Sequence, residues 1–470
     1  MHQTQQHTNG HHRPDILTKT PQQVTEEVLG GTFRAGSRFW LAAGVMFALL
    51  VLGVIGFVIK TGDGTAERGP WGYFGAMLGF LLTTAMAAPI VAVLVRLTKA
   101  HWGKPIVRAA QLWGVVGILC MLMIIPLLFI LPSGSGRNTI WFYDAIRTGW
   151  PPFAPHAGVL IAFVGLLVLS ILLVWVDSIP DLATARDHAP AGARKGWYDR
   201  LSLGWEGTTK QWRMHRTALV LVSVLYLMNF VYVNFVYSSD FAQSFVPGWK
   251  DSIFPATHTV NGFQSALALT ILTAFVLRTW GGYKDYLFTE QFWALGKLLL
   301  PLSVFWFYFW FSGFITQWYG RSPAEHGVLT LLYFGPYRNL FVTSVILNFV
   351  LPLFLLIQNW IRRSILGPTV VAVSVLVGTF LDRIRLYNAA FSVPNEDLPH
   401  HMLETVPPVN FPGGADVLIM LGAVGGAVFL FMMATRIVPV MNIWEAKEAL
   451  ILQRIVPVLK AQLKAIGKPE

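Results

Sequence analysis

Cysteine is nearly absent: Cys120 is the only one in 470 residues. That excludes an intrachain disulfide, a four-thiolate iron–sulfur cluster and a Cys-x-x-Cys-His haem attachment. Any redox centre working with this chain must therefore come from a partner. Charge is scarce too. Charged residues make up 13% of the chain against 54% hydrophobic, and mean hydropathy is +0.54, which argues against a soluble enzyme and for a chain whose solvent is mostly lipid. Acidic residues are outnumbered, 24 against 35 Lys and Arg, for a net charge of +11. Nucleic-acid binding would need those cations gathered on a folded polar surface. Here they sit in short loops between apolar runs, so no nucleic-acid partner is expected and the charge reads as topology.

A bilayer core of about 30 Å takes about 20 apolar residues per helix. Suitable runs begin near Phe39, Trp71, Ala109, Ala157, Ala218, Ile253, Leu287, Leu340, Leu366 and Val417. The expectation is an all-α polytopic membrane protein with about ten crossings. Three segments follow: a polar tail over 1–38, a membrane domain over 39–437 and an amphipathic tail over 438–470. The first run, Phe39–Ile59, carries no charge; the ninth is the weakest, opened by Pro368 and ended by Asp382, Arg383 and Arg385.

With an even count both termini share a side, and the positive-inside rule selects it. Arg34 and Arg38, Arg96 to Arg108, Arg186 to Arg216, Arg278, Lys284, Arg362, Arg363 and Arg436 to Lys468 fall on the terminal side. Fewer cations, among them Lys60, Arg68, Lys250, Arg338, Arg383 and Arg385, fall in the opposite loops. Both termini are expected in the cytoplasm. His2, His7, His11 and His12 could suggest a metal tract, but no Cys or carboxylate cluster accompanies them, and a disordered tail is the plainer reading. Nearly forty mostly polar residues before the first apolar run do not read as a signal peptide. Trp444–Lys464 mixes apolar and basic residues as an interfacial helix would, with Pro457 bending it.

A charge at the centre of a membrane helix costs roughly 2.5–3.5 kcal/mol on insertion scales, so each needs a partner or a task. The fifth helix carries Asn229 and Asn234 and ends at Asp240. The sixth opens with His258, Asn261 and Gln264, and the seventh holds Glu290 and Lys297 and ends in Gln317, Trp318 and Tyr319. Asp240, His258, Trp318, Tyr319, Arg338, Asp382 and Asp416 are expected toward the outer face. Such a set suits a quinone: a flat ring needs aromatic walls, and its two oxygens need a donor and an acceptor that exchange protons. The bland alternative is that these residues cap helix ends and form an aromatic belt. Glu290 and Lys297, two turns apart on one face, either bracket a proton-passing cavity or sit at the interface. Asp177 reads as an interfacial carboxylate.

Several stretches carry a resemblance: IPDLATARD at Ile179–Asp187, GWEGTTKQW at Gly204–Trp212, SSDFAQSFVPGW at Ser238–Trp249, IFPATHTVNGFQSALA at Ile253–Ala268, Leu295–Gly320 and VTEEVLGG at Val24–Gly31. Together, over roughly 20–440, they resemble the large membrane subunit of alternative complex III, itself similar to the NrfD and polysulfide-reductase membrane anchors. The resemblance implies two four-helix bundles plus two peripheral helices in a bacterial inner membrane. It also implies a menaquinone or ubiquinone site near the periplasmic face, beneath an iron–sulfur, molybdopterin-like subunit. Electrons would pass on to c-type cytochromes, a second NrfD-like membrane subunit would be present, and this chain would hold no haem or iron–sulfur cluster of its own.

The departures bear on the site. The family has a His-x-Gly-Arg-x-Trp motif after the third helix, whereas LPSGSGRNTIW at Leu131–Trp141 keeps Gly136 and Arg137 without the His. A membrane Asp of the family corresponds to the region of Val159, with His156 nearby, and a family His six residues before the DFA aspartate corresponds to Asn234. Asp240 alone is retained. Asn accepts a hydrogen bond from a quinol but cannot take its proton, so the resemblance leaves open a shifted site using His258 and His156, or a lost one. Proton-transfer candidates are Asp240, Glu290, Lys297 and Asp382. The alternatives to a quinol-binding subunit are a quinone-free anchor for the redox subunits and a secondary transporter, the latter without any repeated Gly/Pro-broken helix pair in the two halves.

Overall fold

The computed structural model describes residues 19–62, 64, 67–131, 156–189, 192–398, 400–458 and 461–467. The histidine tract of the tail and the Gly136–Arg137 motif lie outside these residues. Among the described residues eight helices are long and apolar enough to cross a membrane. They are α2 (Ser37–Thr61), α5 (His101–Ile130), α6 (His156–His188), α8 (Thr209–Phe241), α9 (Phe254–Thr279), α10 (Thr289–Gly320), α12 (Arg338–Ile357) and α14 (Gly414–Ile437). The other two expected crossings are present in altered form. One is broken into α3 (Gly72–Thr83) and α4 (Pro89–Leu97). The other is α13 (Leu366–Arg383), prolonged through a π-turn over Ile384–Asn388.

The break between α3 and α4 follows from Pro89, which has no amide hydrogen to donate and is suited to the first position of a new helix. In lipid the backbone groups released by a break must find partners inside the protein. Here the Tyr226 hydroxyl donates to the carbonyl of Met86, and Ala88 donates to Thr84 at 3.0 Å. Packing then groups the broken segment with α5, α6 and α8, and α9 with α10, α12 and α13. The two groups of four meet where α3 touches the π-turn and where α8 touches α9.

Helices α2 and α14 form a separate pair on the outside. Without a hydrophobic drive between helices in lipid, close backbone approach supplies the attraction. Gly53 and Gly422 meet so tightly that a Cβ on Gly422 would lie 2.2 Å from the Gly53 Cα. One buried ion pair, Lys60 Nζ to Asp416 Oδ1 at 3.0 Å, joins the far end of the pair.

Both terminal segments pack on one side of the membrane domain, called here the tail side; the connections 67–71, 242–253, 321–337 and 400–413 lie on the far side. The polar tail is helical from Pro21 to Phe33 (α1), started by a Thr20–Gln23 capping box and docked through Val24, Val28 and Leu29. A short helix α7 (Ala193–Leu201) precedes α8, and a short α11 (Pro323–Leu329) precedes α12. The IPDLATARD stretch forms the helical end of α6. One expectation is corrected here. The C-terminal tail is helical only over Ile443–Ile451 (α15) and then turns into an antiparallel hairpin, β1 (Gln453–Val458) with β2 (Ala461–Ile466). The β-branched run Ile455–Val456 followed by Pro457 favours strand over helix.

Candidate functional site

The far-side half of the second bundle holds a cluster of buried polar groups in its interior. The π-turn after α13 brings Asp382, Arg383, Arg385 and Tyr387 inward together; such turns recur at functional sites. This corrects the reading of Arg383 and Arg385 as loop cations, since both are buried inside a continuous helical segment. Asp382 makes that burial tolerable: its Oδ1 accepts from Arg385 at 2.7 and 3.2 Å, and its Oδ2 lies 3.5 Å from Arg383 NH1. Arg385 also donates to the Leu332 carbonyl at 3.3 Å. The Arg383 guanidinium bridges the bundles, donating from Nε to Thr83 of α3 at 3.3 Å and from NH2 to the Asn261 side chain. Its NH1 is buried and makes no hydrogen bond.

These groups line a cleft completed by Asp251, Phe254, Thr257, His258, Trp306, Trp310, Tyr333 and Leu386. Its interior amounts to ≈ 20 Å³, room for about one water molecule. Trp306, Trp310, Tyr333 and Phe254 give it aromatic walls. Asp251 sits at the far-side rim, where its Oδ1 accepts from the amides of Ile253 and Phe254 at 2.9 and 3.1 Å and so caps α9. Burial raises the affinity of this carboxyl for a proton above the ordinary.

His258 is held on both sides. Asn234 donates its amide nitrogen to the Phe230 carbonyl at 2.9 Å, which leaves its oxygen facing His258 Nδ1 at 3.1 Å. The Tyr387 hydroxyl meets Nε2 at 2.9 Å. For the neutral ring the consistent assignment has its proton on Nδ1 and Tyr387 donating to Nε2. Beneath the cleft the polar chain continues. Asn261 donates to Gln264 at 3.2 Å, and Gln264 donates to Ser303 at 2.9 Å and to the Asn348 carbonyl at 2.6 Å.

Of the residues expected at the site, His258 and Asp382 line the cleft, Asn234 reaches it through His258, and Gln264 lies below it, joined to Arg383 through Asn261. Asp240 is fully buried at the end of α8 and His156 opens α6, but neither lines the cleft. Trp318 and Tyr319 stand exposed at the end of α10; Trp306 and Trp310 of the same helix take the wall positions. Glu290 and Lys297 lie near the tail side. Glu290 Oε2 accepts from the Ile466 amide at 2.9 Å, and the exposed Lys297 ammonium sits 3.8 Å from the Trp293 ring centroid. Asp251, Arg383 and Tyr387 were not singled out from the sequence. For Asp251 the available signal was its place just before the Phe254–Pro255 helix start.

A second charged cluster closes the tail side of the first bundle. Arg108, fully buried, donates from Nε to Asp177 at 2.8 Å, from NH1 to Ser178 at 2.8 Å and from NH2 to Asp181 at 2.9 Å. Arg96 also pairs with Asp177, so this residue is an interior ion-pair member and not an interfacial carboxylate. Asp181 Oδ1 accepts the Ile443 amide at 3.1 Å, which fastens the start of α15. Glu445 of that helix lies 3.7 Å from Arg96, and burial, outweighing that guanidinium, pushes its carboxyl up to about 7. Among the described residues no group of His, Cys, Asp and Glu is arranged to hold a metal ion.

The family model described as polysulphide reductase, NrfD, matches residues 62–395, well over half of the chain. No curated protein matches.

Proposed function

Starting from the fact that the chain belongs to the NrfD, polysulphide reductase family, whose members are membrane subunits of quinone-linked oxidoreductase complexes, we propose that it is the quinol-binding membrane subunit of an alternative complex III-like assembly. In this reading a quinol ring lies in the cleft between α9, α10 and α13. Electrons leave to an iron–sulfur subunit and c-type cytochromes on the periplasmic side, and both termini face the cytoplasm of a bacterial inner membrane. The observation that carries the reading is the Arg383 NH1 donor, buried at an aromatic-walled cleft with Asp382 Oδ2 at ion-pair distance, 3.5 Å, but with no hydrogen bond. A buried donor left unsatisfied costs about 1–3 kcal/mol, and a ligand oxygen would relieve it. Arg383 then holds one ring oxygen, Trp306 and Tyr333 flank the ring, and the Asn234–His258–Tyr387 chain fixes the wall. Admission of a ring requires the partly exposed Trp310 and Thr257 to move outward.

A second reading, a quinone-free anchor for the redox subunits, is favoured by the water-sized interior and by the engagement of both His258 nitrogens. Two substitutions in the native complex separate the possibilities. Arg383→Met is expected to lower quinol-dependent reduction of the partner's redox centres at least about 100-fold, as loss of a preorganised donor does, while Asp240→Asn leaves most of it. The reverse pattern would move the ring beside Asp240, and wild-type levels in both, with no quinone extractable from the complex, would establish the anchor.

A further inference from the structure

We infer that Asp251, at the rim of the cleft, is the group that exchanges protons between a ring hydroxyl held there and the water outside. The inference rests on the quinol-binding reading above and deepens it. His258 is the residue that a sequence reading would choose for this task. Yet its Nδ1 proton is committed to Asn234 and its Nε2 lone pair to Tyr387, so it has no free nitrogen to offer. Asp382 is engaged by two cations, its Oδ1 accepting from Arg385 and its Oδ2 lying in an ion pair 3.5 Å from Arg383 NH1. Asp251 differs from both. One oxygen is spent on capping α9, but among the described residues Oδ2 accepts no hydrogen bond and no cation pairs with the carboxylate.

The surroundings favour such a role. Gly313 of α10 leaves the room that this oxygen needs, since a Cβ there would come within 2.9 Å of Oδ2. The loop bearing Asp251 is pinned, because Gln243 donates to its backbone carbonyl at 2.8 Å. The groups that face it are His258, Tyr333, Asp382, Arg383 and Arg385 around the cleft, and Lys250 and Glu325 at the rim. Desolvation holds the carboxyl above its ordinary range, toward the operating pH at which a general base works best.

The hydroxyl O–H bond breaks as the Asp251 Oδ2–H bond forms, and the proton passes to solvent at the rim. The carboxylate so regenerated takes the second proton. The two electrons leave to the one-electron centres of the iron–sulfur and cytochrome partner.

Asp251→Asn keeps the cap on α9, because the amide oxygen still accepts from Ile253 and Phe254, so folding and ring binding are expected to survive. Tested in the native complex with 2,3-dimethyl-1,4-naphthoquinol, the variant should lose about 100-fold or more in turnover. It should also lose the acid limb of the pH profile, and Asp251→Glu should restore part of both. A readout apart from turnover is the infrared difference spectrum on binding the oxidised and reduced probe, in which a protonated-carboxyl band should be present in the wild type and missing in Asp251→Asn. Gly313→Ala should shift that band by crowding Oδ2. An active wild type with an unchanged Asp251→Asn profile and band overturns the inference alone. A wild type that neither binds nor oxidises the probe overturns the reading beneath it, and the inference with it.

Discussion

The two buried Arg–Asp clusters use the same chemistry to opposite ends. On the tail side Arg108 has a partner for each of its three nitrogens, and the acceptors belong to α6, whose Asp181 also fastens α15. On the far side Arg383 spans both bundles but keeps NH1 without a hydrogen bond, beside aromatic rings and a carboxylate with a free oxygen. A saturated guanidinium such as that of Arg108 can only hold the fold, whereas one with a spare donor can also bind. Charge burial alone therefore does not mark a site in this chain; what separates the two arginines is unspent hydrogen-bonding capacity at an aromatic-walled cleft.

The strongest way to break this comparison is Arg108→Met. It strands Asp181 in the interior and leaves Asp177 with Arg96 alone, and leaving a buried charge unpaired costs about 3–5 kcal/mol. The expected outcome is a collapse in the yield of folded protein or an early thermal transition in detergent. An assembled protein of wild-type stability would show that the tail-side cluster is not structural. Tyr387→Phe asks the corresponding question of the far side. It removes one hydrogen bond to a neutral ring, worth about 1 kcal/mol, so the thermal midpoint should fall by a few degrees at most while the complex still forms. A loss as large as that of Arg108→Met would erase the distinction.

The smallest effect concerns pH. Glu445 has its carboxyl raised from the ordinary 4.5 to about 7, so docked α15 binds more protons than undocked between those values. Docking should be firmest below about pH 4.5 and weaken as pH rises to about 7. Protease cleavage within 443–466 reports this, and Glu445→Gln should flatten the trend.

The apolar runs that become helices were legible in the sequence because hydropathy over about 20 residues is a strong signal. The pairing of α2 with α14 was not, since it depends on Gly53 and Gly422 meeting across nearly the whole chain. Adjacent charges at 382, 383 and 385 read as an interface because sequence cannot show that Thr83 and Asn261 wait for them inside. His258 and Asp382 were recognised as out of place in lipid, and the structure brings both to one cleft. Tyr387 was hidden among many aromatics, and its importance lies in a hydrogen bond to a helix 129 residues away in sequence. Asp251 was passed over because a carboxylate just before a helix ordinarily does no more than cap it.

The clasp formed by α2 and α14 has a consequence for biogenesis. Its two members flank the stretch matched by the family model, one ending at Thr61 and the other starting at Gly414. The ribosome therefore delivers one half of the clasp before the eight-helix interior and the other half after it. Throughout that interval Lys60 has no Asp416 to neutralise it, and the groove around Gly53 lies open to acyl chains. The newborn chain is thus marked as unfinished until its last crossing arrives, a signal that membrane quality control could read.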